Sequence, residues 1–307
     1  MKGNKHIMDR INCLRKAGKI AAQVRREGAE RIIEGASYIS VMDYCEARII
    51  ELGGEIAWAQ MALNDCAAHF CPKEDELGTF EKGDLVKIDI GVHINGWIAD
   101  NAMTVEVSTD DHTELILATQ KTLKETIAVV RPGITLGEIG QRTNEVASAH
   151  GFNVIRNLSG HTIDQYTVHA GISIPAINTE EKTRIEEGME IAIEPFLTYG
   201  EGLIRSKGES TIFMQVSERS VRSPAARKIM AFIEQRNGLP FCTKDLTKQF
   251  GKGTTMLGLR ELLKQGVLQD YPPLCEVSKG LVAQFEHSMI VTADGVEVIT
   301  RHPDDTW

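Results

Sequence analysis

Two aspartates stand where strands rarely admit them. Asp is depleted in β-strands, yet Asp89 and Asp100 each interrupt an alternating apolar run, one spanning Asp84 to His93 and the other Trp97 to Val107. Asn95-Gly96 between the runs is a hairpin signal. With those two residues at the centre of the turn, Ile94 faces Trp97, Asp100 lies opposite Gly91, and Asp89 lies opposite Ala102. Side chains two apart share a face, so Asp89, Gly91, Asp100 and Ala102 point the same way. The two carboxylates become diagonal neighbours with Cα atoms roughly 7–8 Å apart, and small residues opposite each leave space between them. The other face, Val86, Ile88, Ile90, Val92 and Ala99, is apolar.

Carboxylates converging inside a sheet need neutralising, because an uncompensated buried charge costs several kcal/mol. A basic side chain or a metal ion supplies the positive charge. Lys87, on the same face, is the basic candidate, and the hairpin alone leaves both answers open. The rest of the chain adds donors. Glu194 ends the apolar run Glu190-Ile-Ala-Ile-Glu194, and Glu286 lies inside the run Ala283–Val291. His161 follows Gly160, with His169 close behind it in sequence. One such His alone is usually an ordinary core or surface residue. Four strand acids with an imidazole form an oxygen-rich donor set, suited to divalent Co, Mn, Fe, Zn or Ni. Five ligands exceed what one ion needs when water must also bind. Two ions about 3.5–4 Å apart with bridging carboxylates fit better, and that arrangement supports hydrolysis.

Several elements must hold these residues. Helical patterns run over about 8–33 and 42–52, the latter stopped by Gly53-Gly54. Another covers about 112–130, and the next opens at Thr135 with Glu138 three residues on, a capping box, and ends at His150-Gly151. Residues 225–236, 243–250 and 258–265 read as short helices. The chain has 307 residues, 42% hydrophobic and 25% charged, with a formal net charge of −9, the composition of a globular protein. An acidic chain is poorly matched to phosphate backbones or anionic membranes. No apolar run approaches the ~20 residues of a membrane span. Residues 1–10 lack the apolar core of ~7–15 residues found in signal peptides, so the cytoplasm is the expected compartment. Six cysteines, at 13, 45, 66, 71, 242 and 275, form no Cys-x-x-Cys pair and read as buried or idle thiols.

In this order, Asp89, Asp100, His161, Glu194 and Glu286 resemble the metal site of the methionine aminopeptidases. The flanking strings match as well: residues 87–93, 98–102, 158–161, 168–172, 193–196, 271–274 and 283–287. The helical insert between Glu194 and Glu286 is the mark of the type 2 enzymes, and the absence of a long charged N-terminal extension resembles their short archaeal form. The resemblance implies an α+β pita-bread fold, a mostly antiparallel curved sheet with helices outside, plus a winged-helix-like insert. Residues 1–204 would form the first part of the catalytic domain, 205–270 the insert, and 271–307 the closing part. Asp89 would chelate one ion, Asp100 and Glu286 would bridge two, and His161 and Glu194 would bind the second. Glu194 would also move the proton of the attacking water to the leaving amine. His69 matches the His near the scissile peptide, and His169 the one that stabilises the oxyanion. Phe196, His169 and Tyr271 match the pocket for the methionine side chain, although aromatic residues at such positions also serve as plain core.

The implied activity is removal of the initiator methionine from peptides and nascent chains when the next residue is small. The implied protein is a monomer, with the ribosome as a candidate partner and no direct nucleic-acid or membrane binding. Some relatives bring the segments of Cys66 and Cys275 together, so a disulfide or close thiol pair is open there. One stretch departs from the pattern. Relatives carry Ala-Phe-Pro where this chain has Ile56-Ala57-Trp58, and Asn101 replaces a small or hydroxyl residue beside a ligand. Ala57 cannot supply the missing aromatic ring, although Trp58 is beside it, so weaker or broader selection of the first side chain is expected. Two other readings remain: a proline-specific peptidase of the same fold, which usually carries a separate N-terminal domain, and a non-catalytic binding member, which usually lacks ligands.

Overall fold

The computed structural model describes residues 2–305, with side chains from Asp9 onward. The first residue and the last two, at the outer limits of the expected catalytic segments, lie outside the described residues. Two helices open the chain, α1 (Lys2–Ala29) and α2 (Tyr38–Glu51). They cover a three-stranded antiparallel sheet of β1 (Glu55–Leu63), β3 (Leu85–Ile94) and β4 (Trp97–Glu106), with β3 central. The short strand β2 (Cys66–Ala68) follows β1. Leu14, Ala17, Ala21 and Val24 of α1 and Met42, Cys45 and Ile49 of α2 pack on Val86, Ile88, Ile90, Val92 and Ala99. That is the apolar face the alternation predicts. The hairpin has the expected register: Gly91 pairs with Asp100, Asp89 with Ala102, and Ile94 with Trp97. Asn95 and Gly96 both take positive φ, +52° and +83°, as a type I′ turn requires.

A second layer pairs α3 (Thr113–Ile127) and α4 (Leu136–Ala149) against a five-stranded antiparallel sheet. The order of its strands is Val296–Val298, His287–Val291, Glu190–Ile193, Ser159–Ile163 and Ser173–Pro175. The expected capping box is present. Glu138 N donates to Thr135 Oγ1 at 3.2 Å, and Thr135 N donates to Glu138 Oε2 at 2.8 Å.

The stretch before His69, unassigned from the sequence, is strand β1, paired along β3. Two sequence readings are corrected. The run 283–291 is two strands, Val282–Gln284 and His287–Val291, broken at Phe285-Glu286. Its partner breaks at the same level: Glu190–Ile193 pairs with His287–Val291, Phe196–Thr198 pairs with Val282–Gln284, and Glu194-Pro195 lie between. Pro195 has no N–H to continue a ladder, and Glu286 N turns instead to Ala102 O at 3.0 Å. The second correction is a helix start, below.

The helices α5 (Pro224–Ile233), α6 (Thr243–Phe250) and α7 (Lys252–Lys264) assemble with the three-stranded sheet of Phe241–Cys242, Ile212–Gln215 and Leu268–Tyr271. They share their own apolar cluster, which includes Phe213, Ile229, Leu246 and Leu262. The helix expected from Gly258 begins earlier, at Lys252, because Thr255, Gly258, Leu259 and Leu262 together form its buried face. Ser223 caps α5, accepting from Ala226 N, with Pro224 in the first turn. Cys66 on β2 and Cys275 on strand Leu274–Glu276 are joined as a disulfide, while Cys13, Cys45, Cys71 and Cys242 are free. No helix among the described residues is long and apolar enough to cross a membrane.

Candidate metal centre

The paired strand breaks decide where two of the acids go. Glu194 and Glu286 leave the two breaks toward one cavity, which Asp89, Asp100 and His161 also line. The broken segment is tied to β4 along its length. Gln284 N donates to Thr104 Oγ1, which donates back to Gln284 O, each at 2.8 Å. Ser288 Oγ both accepts from Asp100 N and donates to Asp100 O, again at 2.8 Å. Those bonds set Glu286 beside Asp100. His161 reaches the same point because its strand runs close against Glu190–Ile193. A Cβ on Gly160 would lie 2.4 Å from Ala192 O, so only glycine permits that approach.

His161 Nε2 lies 3.6 Å from Asp100 Oδ2 and 3.8 Å from Glu194 Oε1. Asp100, His161 and Glu286 each offer a donor atom, all within 4.8 Å of one another. Glu194 Oε2 accepts from Gln284 Nε2 at 3.3 Å. Asp89 accepts two bonds of 2.7 Å, from Trp58 Nε1 on Oδ1 and from Gln60 Nε2 on Oδ2. Burial raises the Asp89 carboxyl to about 6, even though one edge of it opens on the cavity. Burial, reinforced by mutual repulsion, holds Asp100, Glu194 and Glu286 well above the usual carboxylate range. Burial drives the His161 imidazole down to about 3, with His169 adding to the effect. Asp100 Oδ1 and Glu286 Oε1 are buried without a hydrogen-bond partner.

Neutral imidazole, crowded carboxylates and orphaned oxygens are the donors a divalent ion takes up, so the residues fit such an ion. Lys87 offers no alternative counter-charge. Its buried ammonium donates to the carbonyls of Asn64 and Leu85, at 2.9 and 3.3 Å.

The cavity has a volume of about 660 Å³. Ile212, Met214 and Phe196 line it together with His69, His169 and Tyr271. The His169 ring lies 4.6 Å from that of His161, edge to face. The His69 ring lies 5.5 Å from that of Tyr271, and His69 takes a φ of +68°, a conformation a non-glycine residue holds only when its surroundings impose it. Phe196 belongs both to this wall and to a core cluster with Ala67, Ile155 and Val282, so packing and pocket are one role. Ala57 is buried with Ile98, Ile163, Ala192 and Leu239. Sequence reasoning missed Gln60 and the bond from Trp58 to Asp89. Alternation in β1 carries no sign of which face either side chain takes.

The sequence pattern of metallopeptidase family M24 matches residues 12–293. A methionine aminopeptidase of Thermococcus onnurineus is 41% identical over 296 residues, covering 95% of this chain and all of the relative. Methionine aminopeptidase 2 of Schizosaccharomyces pombe is 32% identical, over 96% of this chain and 74% of the relative. The solved methionine aminopeptidase of Thermotoga maritima superposes with a TM-score of 0.70 at 22% identity, covering 96% of this chain and 97% of that one. The curved antiparallel sheets with helices outside are the pita-bread α+β architecture expected from the sequence. With its fold, its run of donors and its near full-length matches, the chain belongs to metallopeptidase family M24.

Proposed function

We propose that this chain removes the N-terminal methionine from peptides and nascent proteins whose second residue is small. The observation that carries the reading is the convergence of Asp89, Asp100, His161, Glu194 and Glu286 on the wall of an apolar cavity that also holds two further imidazoles, His69 and His169. The five residues would hold two divalent ions. Bound ions supply a water acidic enough to lose a proton near neutral pH. Glu194, open to the cavity, takes that proton and delivers it to the leaving amine. His169 donates to the developing oxyanion, and His69 borders the scissile peptide from the Tyr271 side. Phe196, Tyr271 and His169 enclose the methionine side chain.

The same reading covers the wider protein. Residues 205–270 are an insert in one catalytic domain built from 1–204 and 271–307. The enzyme works as a cytoplasmic monomer on chains emerging from the ribosome. The deciding experiment is release of methionine from Met-Gly-Met-Met after chelation and re-addition of Co, Mn, Fe, Zn or Ni singly. Ion-dependent release is expected, and none with any ion overturns the proposal. A panel of Xaa-Gly-Met-Met peptides tests side-chain selection. Broader acceptance than methionine alone is expected from Ala57-Trp58, and a strict methionine preference removes that part. Cleavage of Xaa-Pro dipeptides instead would favour a proline-specific enzyme.

A further inference from the structure

Strand β1 does not pair evenly with β3. Ile56 pairs with Val92, and the next pair is Trp58 with Gly91, leaving Ala57 as an extra residue. Such a bulge re-aims every side chain beyond it. Without it Trp58 would fall opposite Ile90 and point into the apolar core under α1 and α2. With it, Trp58 and Gln60 share the face of Gly91 and Asp89. The indole then lies flat over Gly91, where an added Cβ would sit 2.3 Å from the ring. There the two side chains cap both oxygens of Asp89, each at 2.7 Å.

The helical insert holds the bulge. Arg236, in the short helical turn Glu234–Arg236 after α5, donates to Ile56 O at 3.0 Å and to Ala57 O at 2.6 Å. It also donates to Pro240 O at 2.6 Å, which binds it into its own loop. Leu239 of the same loop packs in one cluster with Ala57 and Trp58. A continuous set of contacts therefore runs from the insert to one metal-ligating carboxylate, whereas Asp100 and Glu286 are fixed separately through Thr104, Gln284 and Ser288.

We infer that Trp58 and Gln60 are positioning residues that orient Asp89 for its ion, and that the insert sets this geometry by gripping the β1 bulge through Arg236. The inference rests on the two-ion reading above. Two donors on a ligating carboxylate leave its remaining lone pairs for an ion and restrict the directions in which it offers them. Partners of that kind typically change metal affinity by about 10–100-fold. The two ions should therefore respond differently. The ion held through Asp89 is tuned by Trp58, Gln60 and Arg236. The ion held through His161 and Glu194 is not.

The test is calorimetric titration of the chelated full-length protein with Co²⁺, followed also by the visible absorption of bound Co²⁺. The variants are Trp58→Phe, which keeps an aromatic ring and removes the donor, Gln60→Met and Arg236→Met. The expected result is two binding events in the parent, with one weakened about 10–100-fold in each variant and the other unchanged. Thermal melts in chelator, matched to the parent, separate this from general unfolding. If Trp58→Phe fails to fold, Gln60→Met decides alone. Parent-like binding of both ions by the variants overturns the inference and leaves the metal centre standing. Equal weakening of both events overturns it too, as a general loosening. If the parent binds no ion, the two-ion reading falls first and the inference with it.

Discussion

Glu194 is the residue whose charge and place do different jobs. It lies 3.8 Å from His161 and, like Asp89 and unlike the buried Asp100 and Glu286, is partly exposed where it lines the cavity. Under its proposed role, Glu194→Gln keeps the shape and removes the proton acceptor, so methionine release should fall by about 10²–10⁴-fold, the usual worth of a positioned acid–base group. The loss should appear in kcat rather than KM, as steady-state kinetics on Met-Gly-Met-Met would show. Loss confined to KM would assign Glu194 to substrate binding. Asp89, Asp100, Glu194 and Glu286 were legible in the sequence because each breaks an apolar strand pattern, and a carboxylate there demands a cation. Trp58 and Gln60 were not legible. Their face depends on one unpaired residue, Ala57, and nothing in the alternation of β1 marks it.

At the scale of elements, two joints are testable. Strand Ser159–Ile163 presents His161 only if Gly160 lets it approach Ala192 O. Gly160→Ala places a Cβ at 2.4 Å from that oxygen, and overpacking of this kind costs about 1–3 kcal/mol. A urea melt should show the loss, and an unchanged midpoint would mean that the strands part freely. The joint of α1 and α2 is electrostatic. Glu27 accepts from Arg48 Nε at 2.8 Å, Tyr44 Oη at 2.6 Å and Gln23 Nε2 at 2.8 Å. Burial pulls its carboxyl upward, but those bonds outweigh it and hold the group down at about 2. A depressed carboxyl stabilises the fold fully above its unfolded value of about 4.5 and loses that contribution as pH falls through about 2. The stability gap between the parent and Glu27→Gln should therefore be largest near neutral pH and should shrink steadily in acid. A gap that is constant with pH would refute the assignment.

Across the whole molecule, the Cys66–Cys275 bridge closes a separation of 209 residues and ties the chain before the insert to the chain after it. Removing a cross-link typically costs about 2–4 kcal/mol. Cys275→Ser should melt earlier than the parent, reductant should lower the parent to the same point, and the variant should be insensitive to reductant. Matching melts with and without reductant in the parent would show that the bridge carries no stability. The proposed metal centre would also stabilise the fold. An ion that binds only the native site raises stability by mass action, so chelation should lower the thermal midpoint, and one suitable ion should restore it. Under the proposed function, four of the 43 acids behind the net charge of −9 would act as ligands, and each divalent ion they held would offset two of those charges.

The sequence by itself determined the hairpin register, the capping box of α4, the family and the order of the donors. Those depend on neighbours along the chain: alternation, turn residues and spacing are local, and a carboxylate in an apolar strand is visible wherever that strand later packs. Only the tertiary structure decided three things: the matched breaks at Glu194-Pro195 and Phe285-Glu286, the turning of Lys87 toward main-chain carbonyls, and the bulge that brings Trp58 to Asp89. Each of these is settled by a partner far away in sequence. Glu286 N finds Ala102 O only after β4 lies beside it, and the carbonyls of Ile56 and Ala57 meet Arg236 only after the insert has folded against β1.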